Sequence, residues 1–353
     1  MIEKSVSGIW WEEIYGPRLS RKQIYQTICL KKPVVFSAEA VPWPRTLISL
    51  IRAEIQENLG IYLEEINGNE KIENPGEYLL RKFGKREEIN KYRAGVHPSL
   101  PEYIRNIGAL ENKLVFVSGV TTEKYKLWEK FIVQYKPKNE KGGLFLIEAK
   151  MPLNTEIAGS GRTAKIDIMS SISFYDILSF SILLASQLPV NEILKQYTAW
   201  TTSLLFNRKI ETIAEMYSEK FIQSSFQDYH RILQTETNDE LFFSKSLWTA
   251  QLQILFPVIE NLRLKIINSH RADIEYILQT EDCYYCDRKI TDPYDAELGF
   301  LVYLSWKNQK KVFTAETAKN IQFLNECRNR LAHHEYCDAF AINKIIDLDK
   351  EQQ

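Results

Sequence analysis

The sequence predicts two domains of different class: an α/β domain with a mostly parallel sheet, followed by an all-α domain. Residues 1–160 alternate short apolar runs with amphipathic helical stretches, which is typical of a layered α/β fold. Residues 161–353 repeat their apolar positions about every 3.6 residues, which is typical of helices. At 353 residues the chain is long enough for each domain to bury its own core.

The strands predicted in the first domain are short, largely apolar runs. They cover residues 33–38, 61–66, 113–120 and 143–149. Predicted helices separate them, at residues 46–58, 76–83, 100–108 and 121–135. Because a helix between two strands allows both strands to run in the same direction, this alternation favours a parallel sheet with helices on both faces.

The second domain is predicted to be helical throughout. Its clearest helical patterns cover residues 193–206, 210–226, 241–267 and 296–306. The small and polar residues 157–165 are predicted to form the loop or linker that precedes it. The most apolar stretch, residues 172–188, contains Asp176 and several serines and is short for a membrane span. It is therefore predicted to be a buried helix.

Composition predicts a cytoplasmic protein without a general attraction to charged partners. Basic and acidic residues nearly balance, which leaves a formal net charge of −1. Any attraction to RNA must therefore come from a local basic patch. The first residues lack the basic and apolar regions of a signal peptide. Five cysteines without regular spacing argue against a disulfide framework and favour a reducing compartment.

A phosphate-binding loop is missing from the α/β domain. The motif G-x-x-x-x-G-K-[ST] does not occur, and residues 37–45, after the first strand, contain no glycine, so neither ATP hydrolysis nor a cofactor is predicted. The pattern Tyr15-Gly-Pro-Arg-Leu, the Ala-Val-Pro-Trp-Pro turn and the Val-Phe-Val strand nevertheless resemble the core of signal-transduction ATPases, the STAND class. The resemblance covers roughly residues 8–150. It implies a degenerate P-loop-NTPase-like fold, and whether that fold binds a nucleotide stays open.

Cysteines and histidines raise the alternative of a zinc site. Cys283 and Cys286 have the spacing of a metal-binding pair, and Cys327, Cys337 and the two histidines between them could complete the ligand set. However, Cys327 and Cys337 lie ten residues apart, without the second close pair that a structural zinc site needs. We therefore predict structural thiols and no bound metal.

The densest group of chemically active side chains lies near the C-terminus. Arg328, Asn329 and His333 fall within one short segment, beside a second histidine, His334. On a helix Asn329 and His333 lie one turn apart, whereas Arg328 is about 140° from His333 around the helix axis. Arginine binds phosphate bidentately and histidine transfers protons near neutral pH, so these residues suit metal-free phosphodiester chemistry. The alternative is a polar helix end with asparagine and arginine as caps.

The pattern Arg328-Asn-Arg-Leu-Ala-His333-His-Glu resembles the R-x4-H motif of HEPN domains, especially their abortive-infection-like branch. The upstream segment Glu297-Leu-Gly-Phe-Leu-Val-Tyr-Leu and a basic spacer extend the similarity over about forty residues. The resemblance implies metal-independent cleavage of single-stranded RNA. Arg328 would hold the scissile phosphate, and Asn329 would orient the phosphate or the histidine. His333 would be the general acid and base in attack by the ribose 2′-hydroxyl, which leaves a cyclic phosphate.

The HEPN resemblance also implies partners and a biological role. Sites in this family are composite, so a homodimer through the HEPN-like domain is expected, with RNA as the substrate and no membrane. The expected role is an endoribonuclease toxin or effector in prokaryotic conflict or phage defence, with a regulatory partner protein as a further expectation. Two alternatives stay open. They are a non-catalytic HEPN-like dimerisation or interaction module, and a nucleotide-sensing regulator in a larger defence complex.

Overall fold

The computed structural model describes residues 5–137, 142–150, 163–217, 226–307 and 312–351. Its contacts divide the chain into two compact units, Met1–Phe180 and Ser181–Gln353. The first unit contains a parallel sheet with helices, and the second is mainly helical, in agreement with the classes predicted from sequence. The first unit runs past residue 160, the boundary expected from sequence, and includes a further strand beyond it.

The first unit begins with two helices and then alternates strands with helices. In chain order its elements are α1 (Val6–Glu12), α2 (Tyr15–Cys29), β1 (Val34–Ser37), α3 (Pro44–Leu59), β2 (Tyr62–Asn67), α4 (Pro75–Phe83), α5 (Arg86–Lys91), α6 (Leu100–Asn106), β3 (Lys113–Val120), α7 (Thr122–Tyr135), β4 (Leu144–Ala149), β5 (Ala164–Ile166) and α8 (Phe174–Ala185), which continues into the second unit. The strands and helices predicted before residue 150 are confirmed within two residues at each end. Helices α1, α2 and α5 were not predicted.

Within the described ranges, the sheet of the first unit has five parallel strands in the order β2-β3-β4-β1-β5. β5 was expected to be part of a polar linker at residues 157–165. It instead pairs with β1, with Val34 opposite Ala164 and Phe36 opposite Ile166, so that prediction was wrong for residues 164 and 165. Residues 157–162 of the expected linker lie outside the described ranges. Pairing with β5 supplies partners to backbone groups of β1 that would otherwise form an open edge.

Helices cover both faces of this sheet, as the sequence predicted. Alternate strand residues such as Val35, Val117 and Ile147 pack with α4, α6 and α7 in one hydrophobic core. Residues in between, such as Phe36 and Phe116, are equally buried and point to the other face, because successive strand residues alternate. Helices α2 and α3 contact β1, β2 and β5 there. The edge strand β2 and the carboxyl ends of the strands stay accessible in this arrangement.

The connection from β1 to α3 has no glycine but still bends sharply. Ala40 and Trp43 both adopt positive φ values, +59° and +44°, a conformation that costs energy for residues with a side chain. Trp43 precedes the first residue of α3, Pro44, whose ring suits a helix start. Edge-to-face packing against Phe180, with ring centroids 6.1 Å apart, accompanies the strained conformation of Trp43.

The second unit consists of helices around one long central helix. Its elements after α8 are α9 (Glu192–Leu205), α10 (Ile210–Glu215), α11 (Phe226–Thr235), α12 (Glu240–Ser269), α13 (Arg271–Thr280), β6 (Tyr284–Tyr285), β7 (Arg288–Lys289), α14 (Leu298–Lys307), α15 (Ala315–Ala332) and α16 (Ala339–Glu351). Helix α12 contacts α9, α13, α15 and α16. The predicted helices at 193–206, 241–267 and 296–306 are confirmed. The helix predicted at 210–226 starts correctly as α10, and residues 218–225 lie outside the described ranges.

The apolar stretch at residues 172–188 forms α8, and the prediction of a buried helix is confirmed. Asp176, its one acidic residue, is buried and accepts hydrogen bonds from the Gly16 N–H at 2.8 Å and the Ser173 hydroxyl at 2.7 Å. A buried carboxylate is tolerated when donors compensate its lost hydration. Among the described residues, no helix combines the length and the apolar character needed to cross a membrane.

A first prediction concerns the turn after β2. A Cβ at Gly68 would overlap the carbonyl oxygen of Ser118 and approach Val120 Cγ2 to 2.8 Å, and both belong to the rigid strand β3. Gly68→Ala is therefore expected to lower the free energy of unfolding by about 2 kcal/mol. Gly8→Ala is the control, because only the exposed Ser5 hydroxyl and the Glu12 side chain lie within 4 Å of the new methyl. Urea denaturation of both variants measures the difference, and equal stabilities would contradict this view of the turn.

Candidate functional site

Helix α15 carries the residues singled out in the sequence, and its apolar face is buried. The Thr314 hydroxyl begins the helix by accepting the Thr317 N–H at 3.1 Å. Its buried residues recur at spacings of three and four and are Ile321, Leu324, Cys327 and Leu331. Arg328 and Asn329 lie beside this face and are half-buried, whereas His333 and His334 are exposed. The helix therefore docks by one stripe and presents the polar residues at its C-terminal end.

The C-terminus of α15 is a left-handed turn. The His333 N–H still bonds back to the Asn329 carbonyl at 3.0 Å, so His333 lies one helical turn beyond Asn329. The Glu335 N–H reaches the Arg330 carbonyl at 2.9 Å, and His334 between them has a φ of +63°. Glycine or asparagine usually occupies that position of a helix ending. His334 thus forms the helix stop, and its place in the chain has a structural reason.

The candidate side chains are arranged around the last two turns of α15. The Arg328 guanidinium lies 3.4 Å from the Glu297 carboxylate and 3.5 Å from the Asn329 side-chain oxygen. The structure therefore brings Arg328 and Asn329 together and places His333 at the exposed end of the same helix. In the described part of the chain no hydrogen bond joins Arg328 to His333. Each of these two side chains reaches solvent.

Two side chains of α12, one turn apart, hold the backbone that follows the candidate residues. Trp248 donates its indole N–H to the Leu331 carbonyl at 2.7 Å, and its ring lies edge-on to His334 with centroids 4.7 Å apart. The Gln251 side chain donates to the Cys337 carbonyl at 2.8 Å and accepts the Cys337 N–H at 2.6 Å. A helix end leaves carbonyl groups without intrahelical partners. Here α12 supplies partners to the segment on both sides of His333.

A buried polar network continues from Gln251 into the helical core. Its amide nitrogen lies 3.3 Å from the Tyr197 hydroxyl, which in turn lies 2.7 Å from His230 Nε2. Burial raises the pKa of Tyr197 far above its usual value, so the phenol stays neutral. Burial also lowers the pKa of His230 to about 4, against a weaker opposing effect of Asp338. Both rings are uncharged at neutral pH, as a low-dielectric interior requires.

All five cysteines are free thiols, and Cys29 is half-buried at the C-terminal end of α2. Cys327 and Cys337 are buried next to each other, and their mutual hydrogen bond together with burial raises the pKa of Cys327. Cys283 is also buried, whereas Cys286 is exposed in the tight turn between β6 and β7. Among the described residues, no three His, Cys, Asp or Glu side chains lie close enough together to hold a metal ion.

Sequence reasoning missed the residues that support the candidate site. Gln251 is fully buried in α12 among apolar neighbours such as Leu247 and Leu255, and an amide on an apolar helical face is a usable signal. Trp248 carried no such signal, because a tryptophan on a helix is most often a packing residue. Glu297 was part of the HEPN resemblance, without a role, and the structure places its carboxylate against Arg328.

A second prediction tests the contact between α12 and Cys337. Gln251→Leu keeps the volume of the side chain but leaves the buried Cys337 N–H and carbonyl without partners. We expect the free energy of unfolding to fall by about 2–4 kcal/mol. Gln253→Leu is the matched control, because Gln253 is exposed on the same helix. Urea denaturation compares the two variants. A Gln251→Leu variant as stable as the control would show that these hydrogen bonds contribute little.

A third prediction concerns His230. Its pKa is lower in the folded chain than the usual value of 6.5, so the unfolded chain binds the extra proton first as the pH falls. The contribution of the neutral His230 to the free energy of unfolding is therefore fully present above about pH 6.5. It is lost as the pH falls toward 4, by up to about 3 kcal/mol. His230→Gln is expected to flatten this part of the profile, whereas Gln253→Leu, at an exposed position of α12 without a titratable group, should not. Unfolding midpoints across this pH range provide the measurement, and identical slopes would refute the assignment.

Comparison with known proteins adds no family to this description. No protein-family model matches the chain, and no curated protein sequence matches it. The interpretation of Arg328, Asn329 and His333 therefore depends on the chemistry and placement of these residues themselves.

Proposed function

We propose that this protein is a cytoplasmic, metal-independent endoribonuclease of HEPN type that acts as a toxin or effector in prokaryotic conflict or phage defence. The observation that supports the proposal best is the end of α15. Arg328, Asn329 and His333 occupy its last two turns, with Arg328 and Asn329 in contact and His333 exposed. α12 holds the adjoining backbone through Trp248 and Gln251. Catalytic groups need such a held position, because a loosely oriented group loses most of its effect.

The proposed reaction is an internal transfer within the RNA strand. The ribose 2′-hydroxyl attacks the adjacent phosphorus, the bond to the 5′-oxygen breaks, and a 2′,3′-cyclic phosphate and a 5′-hydroxyl end result. Arg328 stabilises the negative charge that develops on the phosphate, and Asn329 donates a hydrogen bond from its amide. His333 transfers the proton, as base toward the 2′-hydroxyl or as acid toward the leaving oxygen. A single histidine fills one of these two roles at a time.

A composite site in a homodimer provides the second proton-transfer group. Two copies of α15 facing each other across a twofold axis bring together two sets of Arg328, Asn329 and His333. One His333 then acts as base and the partner subunit's His333 acts as acid. The solvent exposure of His333 is compatible with such pairing.

Glu297 is the group that a bound phosphate would displace. Its carboxylate lies 3.4 Å from the Arg328 guanidinium, and its own side chain is more than half exposed. An exposed ion pair of this kind is worth little, roughly 1 kcal/mol or less. A phosphate that accepts two hydrogen bonds from Arg328 therefore competes successfully. In this structure the guanidinium contacts both Glu297 and the Asn329 side-chain oxygen.

The first unit supports the second part of the proposal, a sensor or regulatory half related to STAND ATPases. Its sheet of parallel strands, in the order β5-β1-β4-β3-β2 within the described ranges, is compatible with an ATPase-like α/β layout. The connection from β1 to α3 contains no glycine, which fits the expected loss of the phosphate loop. The regulatory partner protein expected from the HEPN resemblance stays part of the proposal.

A HEPN-like interaction module without catalysis is the competing function, because Arg328 already has a carboxylate partner.

The fourth prediction separates catalysis from the interaction module. His333→Ala is expected to reduce cleavage of single-stranded RNA by about 100-fold or more, since it removes the proton-transfer group. His334→Asn is the matched control, because asparagine accepts the positive φ at that position. Cleavage is measured in EDTA by the appearance of cyclic phosphate ends, and growth arrest on expression is scored in parallel.

Two outcomes would contradict the endoribonuclease proposal. The first is intact RNA with the purified wild-type protein, together with a His333→Ala variant that changes no growth phenotype. The second is a protein that stays monomeric at micromolar concentration, because a composite site needs two copies. A dimer without cleavage would instead support the interaction module.

A further inference from the structure

The first unit contains a cavity of about 530 Å³ at the carboxyl edge of its sheet, where β2, β3 and β4 end and α3 begins. The charged and polar side chains around it include Arg45, Arg52, Asn67, Ser118, Glu148 and Lys150. In parallel sheets the crevice beyond the carboxyl ends of the strands is the usual position of a ligand, because strand ends and helix N-termini converge there. The volume lies within the range of small-molecule sites.

One side of this cavity is positively charged. α3 lines it with Arg45, Ser49 and Arg52, whose spacing of four and three residues puts them on one helical face. Arg45 belongs to the first turn of a 16-residue helix, where the positive end of the helix dipole attracts anions. Arg52 has an acidic partner, Glu65, at 3.7 Å. Within the described part of the chain neither Arg45 nor Lys150 has a carboxylate oxygen within 4 Å, although Lys150 interacts electrostatically with Glu148, so both cations are available to an anionic ligand.

The other side of the cavity carries hydrogen-bond acceptors. Glu148 on β4 is half-buried and lines the cavity together with Asn67 and Asn69. Burial raises the pKa of the Glu148 carboxyl group, and Lys150 opposes this effect. A carboxyl group held in such a position favours a ligand that brings a hydroxyl or amino donor, because the donor replaces lost hydration.

The floor of the cavity is fixed by backbone contacts. The Gly68 N–H donates to the Ser118 carbonyl at 2.7 Å, and the Asn69 N–H donates to the Asn67 side chain at 3.0 Å. Lys124 then binds the Gly68 carbonyl at 2.8 Å from the neighbouring helix α7. The turn after β2 is thus held against the end of β3 before any ligand arrives, which lowers the entropy cost of binding.

A glycine at the end of β3 makes room for the cavity lysine. Gly119 has a φ of +66°, at the point where the register between β3 and β4 shifts. A side chain there would come within 3.1 Å of Lys150 Cε and 3.3 Å of the Asn69 amide. The missing side chain therefore lets Lys150 cross the strand end.

We propose that this cavity binds a small organic phosphate, that is, a phosphate group joined to a body with hydroxyl or amino donors. The phosphate contacts Arg45, Lys150 and the first turn of α3. The donors of the organic body face Glu148 and Asn67. Inorganic phosphate satisfies only the cationic side and leaves the acceptor side without a partner. This binding site goes beyond the proposed RNA cleavage and does not depend on it.

The experiment is a calorimetric titration of the full-length protein, and it supplies the fifth prediction. AMP and ribose 5-phosphate are the probes, and inorganic phosphate and adenosine are the comparison ligands. Arg45→Ala and Lys150→Ala are each expected to weaken probe binding by about tenfold or more, because each removes a charge-assisted hydrogen bond. Lys130→Ala, at an exposed lysine of α7 outside the cavity, is expected to bind as the wild type does. Glu148→Gln tests the acceptor side separately.

Three results would overturn the proposal. They are no binding of either probe at millimolar concentration, unchanged binding by both cavity variants, and inorganic phosphate that binds as tightly as the probes. Melting temperatures without ligand establish first that each variant is folded, and Arg45→Gln and Lys150→Gln replace an alanine variant that is not. RNA takes no part in the titration, so its failure would leave the endoribonuclease proposal standing, and the reverse also holds.

Discussion

The C-terminal end of α15 depends on hydrogen bonds that come from α12. A helix end leaves backbone groups without partners, and such ends fray unless other groups supply them. Trp248 satisfies the Leu331 carbonyl, and Gln251 satisfies both backbone groups of Cys337. The segment between these two points contains His333 and the left-handed residue His334. The proposed chemistry therefore needs α12 as much as α15, because α12 keeps the segment around His333 in one conformation.

In each unit the reactive side chains lie where regular secondary structure ends. In the second unit they surround the last turns of a helix, and in the first they surround the carboxyl ends of parallel strands and the start of α3. Side chains in the middle of these elements are mostly committed to packing, since helices cover both sheet faces and α15 docks by its apolar stripe. Element ends combine fixed backbone position with access to solvent. Both proposals rest on that combination.

Local periodicity explains which strands and helices could be predicted from the sequence. Features without such periodicity could not be predicted. The apolar runs of β1, β3 and β4 and the stripes of α3 and α12 are long enough to show their type within the sequence. β5 is only three residues long and contains a lysine, so nothing local separates it from a loop. The candidate residues Arg328, Asn329 and His333 were recognisable from their chemistry. Glu297 as the partner of Arg328 was not, because 31 residues separate them.

The sequence by itself determined the kind of each half, a parallel α/β unit and a helical unit, and the segment in which the candidate residues lie. These properties follow from spacing over a few turns or strands, and so they are local. Only the tertiary structure decided the strand order, the pairing of β5 with β1, the cavity at the sheet edge and the support of α15 by α12. Each of these depends on contacts between distant residues: 83 positions separate Trp248 from Leu331, and 86 separate Gln251 from Cys337. Such contacts are selected by packing and hydrogen bonding in the whole fold, which no local pattern records.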